Sequence, residues 1–232
     1  MSSSIPEMYT SLLKSLVDSG ILADCTDPFD KKIIDYQDKH GDTALIVASW
    51  KGHTKMVRLL IEAGANINIQ NKNGDTALTL ASSFGHTEIA RRLIEAGANL
   101  NLQNEKKYTA LTIASRFGHT EITYHLIEAD ANINLQSENG DTALISATWK
   151  GHTEIACGLI EVGANINIQN KNGDTALILA SCFGHTVIAR LLIKAGANLD
   201  LQDINGNTAL MIARKSGCKE IIDLFTINED PC

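Results

Sequence analysis

The sequence predicts an all-α solenoid of stacked helix-turn-helix units joined by turn and hairpin loops, and two ladders of residues predict it. Thr43-Ala-Leu, Thr76-Ala-Leu, Thr109-Ala-Leu, Thr142-Ala-Leu, Thr175-Ala-Leu and Thr208-Ala-Leu return every 33 residues. Gly52-His-Thr, Gly85-His-Thr, Gly118-His-Thr, Gly151-His-Thr and Gly184-His-Thr keep the same spacing, and Gly217-Cys-Lys closes that series. Self-similarity of this length marks an array whose repeats cannot bury their apolar face alone and must stack on their neighbours.

Within a repeat each element follows from its residue types. The threonine is placed to cap a first helix, and the alanine after it (Ala44, Ala77, Ala110, Ala143, Ala176, Ala209) has the highest helix propensity. In that helix Leu78 and Ala81 recur on one face, and the alanine is kept in all six repeats (Ala48, Ala81, Ala114, Ala147, Ala180, Ala213), where a methyl lets helices approach closely. In the second helix Ile89, Leu93 and Ile94 form an apolar stripe while Glu88, Arg91, Arg92 and Glu95 look outward. Gly97 then stands where a left-handed residue ends the helix, and Asn71 to Gly74 supplies the reversal into the next repeat. Helices of about eight to ten residues are unstable alone in water, so stacking must hold them.

The second repeat, Gly74-Asp-Thr-Ala-Leu-Thr-Leu-Ala-Ser-Ser-Phe-Gly-His-Thr-Glu-Ile-Ala-Arg-Arg-Leu-Ile-Glu-Ala-Gly-Ala-Asn-Leu-Asn, resembles the ankyrin repeat family, and six phased copies carry the likeness over residues 35–225. One departure is systematic. The family usually has proline after the threonine and histidine two places later, whereas this chain has alanine and mostly Ile, Thr or Met. The resemblance therefore implies the fold but leaves open the hydrogen bonding that the family's histidine supplies at the turn.

A longer period of 99 residues overlies the first, since Gly64 to Leu78 and Gly163 to Leu177 are the same string, as are Trp50-Lys-Gly-His-Thr and Trp149-Lys-Gly-His-Thr. Three repeats were duplicated as a block. Residues 1–34 read as a capping helix and an insertion loop. Ser4 and Glu7 have the form of a capping box, Pro6 suits a first turn, and Met8, Leu12, Leu13, Leu16 and Val17 share one helical face. Gly20 precedes Gly64 by 44 residues instead of 33, which places an insertion around Cys25, Asp27 and Pro28. At the other end Glu220, Ile221, Ile222, Leu224 and Phe225 begin a last helix, and residues 226–232 read as a tail. This curtailed repeat is expected to be either a natural cap or the cut end of a longer protein. If poorly shielded, its apolar residues allow weak self-association of an otherwise monomeric chain.

The formal net charge of −7 argues against attraction to nucleic-acid phosphates and points to protein partners. The first residues lack the charges and apolar core of a secretory signal, and no run approaches the roughly 18 apolar residues of a membrane span. Five cysteines, Cys25, Cys157, Cys182, Cys218 and Cys232, show no paired spacing, so free thiols and a cytoplasmic location are expected.

The histidines His53, His86, His119, His152 and His185 do not read as a metal site. Successive repeats lie roughly 8 to 10 Å apart, whereas ligands of one zinc lie about 2 Å from it. They are read as structural residues of the inter-helix turn. No nucleophile with a neighbouring base, phosphate loop or paired-carboxylate pattern stands apart from the repeat. The sequence thus gives no catalytic, cofactor or metal residues, and the expectation is a non-enzyme.

Positions that vary between repeats carry the functional signal. At the end of the first helix stand Trp50 and Lys51, Ser83 and Phe84, Arg116 and Phe117, Trp149 and Lys150, Cys182 and Phe183, then Lys215 and Ser216. Five of the chain's eleven aromatic residues fall in this stripe. The ankyrin resemblance implies that these places line a concave groove where partners dock. The aromatics either face a partner, with Lys51, Arg116 and Lys150 selecting its acidic groups, or cover adjacent helices and stiffen the stack.

The turn tips are the family's other recognition surface. Lys39, His40 and Asp42, Lys72, Asn73 and Asp75, Glu138, Asn139 and Asp141, and Lys171, Asn172 and Asp174 are read as solvated turns. The third repeat differs. Its tip is Glu105-Lys106-Lys107-Tyr108, with Lys107 in a glycine place and Tyr108 in an aspartate place, and Asp130 replaces the glycine after the second helix. It is a candidate specificity element. The expected function is a protein-protein interaction scaffold; the alternative is the targeting module of a larger enzyme or of a secreted bacterial effector acting in a host cell.

Overall fold

The structure, a computed structural model, describes residues 34–227. Of the capping helix and insertion expected in residues 1–34, all but the last residue, with Cys25 among them, lie outside the described residues, as do residues 228–232 of the tail, with Cys232. The described residues form two compact units, 34–105 and 106–227.

The first compact unit contains α1 (Ala44–Trp50), α2 (Thr54–Glu62), α3 (Ala77–Phe84) and α4 (Thr87–Glu95). The second contains α5 (Ala110–Phe117), α6 (Thr120–Glu128), α7 (Ala143–Lys150), α8 (Thr153–Glu161), α9 (Ala176–Phe183), α10 (Thr186–Lys194), α11 (Ala209–Ser216) and α12 (Lys219–Ile227). No strand of a sheet occurs among the described residues, where the one ladder-like contact is an isolated bridge between Gln202 and Thr208. Within each unit odd-numbered helices stack on odd and even on even, which gives the all-α helix-turn-helix solenoid expected from the period.

The helices are seven to nine residues long, slightly shorter than expected. Each odd helix starts because its threonine hydroxyl accepts from the backbone three residues on, as Thr43 does from Ile46 and Thr142 from Ile145. In α3 and α5 the third helical residue is also threonine, and Thr79 and Thr112 return a bond to the cap backbone.

The core is the repeated alanine and leucine column. Ala48, Ala81, Ala114, Ala147, Ala180 and Ala213 are fully buried, and Leu45, Leu78, Leu111, Leu144 and Leu177 nearly so. Of the expected stripe on α4, Ile89 and Leu93 are buried but Ile94 is only half-buried; Ala90 takes the buried place one turn from Ile94. Glu88, Arg91, Arg92 and Glu95 pair with one another along the outer face of α4. At the far end Ile221, Leu224 and Phe225 are buried against α10 and α11, and Ile222 is half-buried. Of the four residues expected to present apolar surface there, Ile222 alone keeps part of its surface open.

The turns are held by a glutamine that the repeat pattern conceals. Gln70 Nε2 donates to Gly74 O at 2.7 Å and to Gln103 O at 3.0 Å, and Gln37 does the same one repeat earlier. In the second unit Gln136 and Gln169 bridge in the same way. Successive tips also share one backbone bond, such as Lys171 N to Asn139 O at 2.8 Å. These bonds satisfy turn carbonyls that would otherwise be left open.

Candidate functional site

The carboxyl end of each odd helix presents the variable pair. In the first compact unit Trp50 and Phe84 meet edge to face, with ring centres 6.3 Å apart, and both remain about half exposed at 48% and 53%. Lys51 is exposed beside them.

In the second unit Phe117, Trp149 and Phe183 are exposed at 53%, 37% and 49%. The guanidinium of Arg116 lies 4.7 Å from the Trp149 ring centre and 5.7 Å from that of Tyr108, and Nη1 donates to the Tyr108 hydroxyl at 3.2 Å. The Lys150 ammonium sits 4.1 Å from the same Trp149 ring. Two cations thus lie over one indole that keeps 37% of its surface exposed, an arrangement the ring quadrupole favours. Cys182 is exposed next to Phe183; partial desolvation and then the Asp174 carboxylate push its thiol above the ordinary value, which makes it a poor nucleophile at neutral pH.

Two of the histidines make an inter-repeat contact through the ring. His86 Nε2 lies 3.1 Å from Trp50 O, and His152 Nε2 lies 3.3 Å from Arg116 O. Each ring thus ties the turn of one repeat to the helix end of the repeat before it, underneath the variable pair.

The third repeat keeps its backbone shape without glycine. Lys107 and Asp130 have φ of +56° and +61°, the positive values of non-glycine residues among those described. Lys107 and Lys106 are exposed on the second unit, Glu105 is exposed on the first, and Tyr108 is half-buried under Arg116. The structure thus brings Tyr108, Arg116, Trp149 and Lys150 into one contact group.

The remaining tips differ from the solvated turns expected. Asp42 accepts from Asn71 Nδ2 at 2.8 Å, Asp75 from Asn104 at 2.9 Å and Asp141 from Asn170 at 3.0 Å, so the aspartates pin one repeat to the next. Lys72, Asn73, Glu138, Asn139, Lys171 and Asn172 are the solvated parts. Sequence reasoning also missed a pocket of about 380 Å³ on the second unit, lined among others by Asp141, Ser146, Trp149 and Asp174. The signal was available: Ser146 is a serine in a column otherwise filled by branched aliphatic residues.

Comparison with known proteins agrees with this geometry. The family model for ankyrin repeats matches three times, over residues 7–104, 92–170 and 159–231. The crystal structure of EF0377, an ankyrin repeat protein, is 32% identical, with a TM-score of 0.74 over 78% of this chain and 96% of that one. An ankyrin repeat domain from Acinetobacter baumannii AYE, ABAYE2397, is also 32% identical, with a TM-score of 0.75 over 79% and 96% of the two chains. A search of curated proteins gives no match. The ladders, the threonine-capped helix pairs and these matches together show that the chain belongs to the ankyrin repeat family.

Proposed function

We propose that this protein is a non-catalytic scaffold that binds a partner protein through the aromatic and basic ends of its odd-numbered helices. Ankyrin repeats are in general protein-protein interaction modules. The observation that carries the reading to these residues is the Trp149 platform. An indole left 37% exposed, with Arg116 and Lys150 over it and Phe117 and Phe183 exposed in the neighbouring repeats, combines the residue types that dominate binding energy at interfaces. Stiffening of the stack does not account for five aromatics that each keep a third or more of their surface in water.

In this reading Trp149, Phe117 and Phe183 anchor the partner on the second unit, with Arg116 and Lys150 facing its acidic groups. Trp50, Phe84 and Lys51 offer a like surface on the first unit. The tip residues Glu105, Lys106, Lys107 and Tyr108 add selectivity, and Cys182 lies beside Phe183 as a neutral contact. The acidic chain repels nucleic acid, acts as a monomer, and resides in a cytosolic compartment where Cys157, Cys182 and Cys218 stay reduced.

Affinity capture from cytosolic lysate tests this, with wild-type protein compared against a folded Phe117→Ala, Trp149→Ala, Phe183→Ala variant. A protein retained by wild type and lost by the variant is the expected result. Equal capture by both would move the site off the platform, and capture by neither would remove the scaffold reading.

A further inference from the structure

One position in the odd-numbered helices departs from the repeat in both chemistry and size. The residue four places after the capping threonine is Val47, Leu80, Ile113, Leu179 or Ile212 in five repeats and Ser146 in the fourth. Ser146 is 1% exposed, its Oγ has no hydrogen-bond partner, and it lines the 380 Å³ pocket of the second unit. Other buried hydroxyls without a partner, Ser115, Thr148 and Ser181 among them, recur at the 33-residue period; Ser146 does not. An aliphatic side chain of the kind that every other repeat carries here would take up part of the pocket.

The walls have a definite chemistry. Ile145, Leu179 and the Trp149 ring supply apolar surface, and Asp141 and Asp174 supply carboxylates. In three other repeats the turn aspartate receives an amide from the asparagine 29 residues later. The residue 29 places after Asp174 is Asp203, a second carboxylate in place of a donor. Asp203 is itself satisfied by Asn207 and Asn205, and no lysine or arginine pairs with Asp174 among the described residues. Burial, followed by the charges of Asp203 and Asp141, pushes the Asp174 carboxyl above its ordinary range against hydrogen bonds from Asn170 and Asn172. Of the two cations at the rim, Arg116 is held by Trp149 and Tyr108, and Lys171 is exposed at the turn tip.

We propose that this pocket receives a lysine or arginine side chain of the partner protein, its stem against Trp149, Ile145 and Leu179 and its charged head at Asp141 and Asp174. The proposal rests on the scaffold reading and adds the chemistry of the partner. A long cationic side chain matches the site because its methylenes cover apolar surface while its head makes charge-assisted hydrogen bonds. The volume lies within the range of side-chain and small-ligand pockets. Ser146 Oγ stands among these walls as an unused hydrogen-bonding group.

The test is a titration of the whole protein with N-acetyl-lysine methylamide and N-acetyl-arginine methylamide. It is followed by NMR through the Trp149 indole and the backbone amides of Asp141, Ser146 and Asp174. Saturable shifts confined to the pocket are expected, with N-acetyl-norleucine methylamide at least about tenfold weaker. Ser146→Val, which places the side chain of Val47 at this position, should abolish the saturable response. Asp174→Asn should weaken the basic probes about tenfold and leave norleucine unchanged. No saturable response to either basic probe, an equal response to norleucine, or a full response in folded Ser146→Val protein overturns the proposal. If the platform still captures a partner in that event, the pocket falls and the scaffold stands.

Discussion

Lys107 and Asp130 hold left-handed backbone where their counterparts in other repeats, such as Gly74 and Gly97, are glycine. A side chain in that conformation costs about 1–2 kcal/mol, partly offset by the greater freedom glycine regains on unfolding. Lys107→Gly and Asp130→Gly should therefore each stabilise the fold by about 0.5–1 kcal/mol, read from urea unfolding; unchanged or lower stability would show that neighbouring contacts absorb the strain. Asp174 makes a prediction of opposite origin. Its folded-state carboxyl binds a proton more tightly than the unfolded one, so its charge opposes folding increasingly as pH rises from the ordinary value of 3.8 through the raised one. Asp174→Asn should raise the thermal midpoint at pH 7, and the gain should vanish below that ordinary value. A gain independent of pH, or a lower midpoint at pH 7, would contradict the crowding of Asp174 by Asp203 and Asp141.

At the scale of the element, each repeat is a threonine-capped helix, a left-handed turn and a second helix, and these parts depend on one another through named contacts. Thr142→Ala removes the hydroxyl that accepts from Ile145 and should cost about 1 kcal/mol. Gly118 ends α5 at φ +79°, and a methyl on it would stand 2.6 Å from the His152 ring. Gly118→Ala should cost at least about 1–2 kcal/mol from the backbone alone and also displace the ring from Arg116 O, which the His152 NMR signals would report. An undisturbed His152 spectrum would contradict the link between turn and helix end. Caps, glycines and the alanine column were legible in the sequence because each is a local demand repeated six times. The glutamine bridges and the asparagine-aspartate pins were not, because their partners lie 33 and 29 residues away and their polarity reads as that of a solvated loop. The pocket stayed hidden for a related reason: the small residue in its lining, Ser146, stands out in the column of repeats but is silent in any single one.

On the scale of the whole molecule, a repeat array separates the residues that stack from the residues that are free to vary, and function falls to the second set. The fold followed from the first set at once. The exposed aromatics were legible as candidates, but whether they faced water or covered helices required the structure: Trp50 and Trp149 do both, each packing against a neighbour while keeping a third to a half of its surface open. The outer ion pairs of α4 and the exposed face of the last helix, with Lys219, Glu220, Asp223 and Thr226, present no such aromatic surface. No helix among the described residues is long and apolar enough to cross a membrane, and the net charge of −7 sets a repulsive background against other anions. Whether Trp149 anchors the partner is read from the calorimetric affinity of the captured protein for wild type and for folded Trp149→Ala. Loss of the indole should cost at least about 2 kcal/mol, roughly thirtyfold in Kd. An affinity unchanged within about twofold would contradict the Trp149 platform as the binding site.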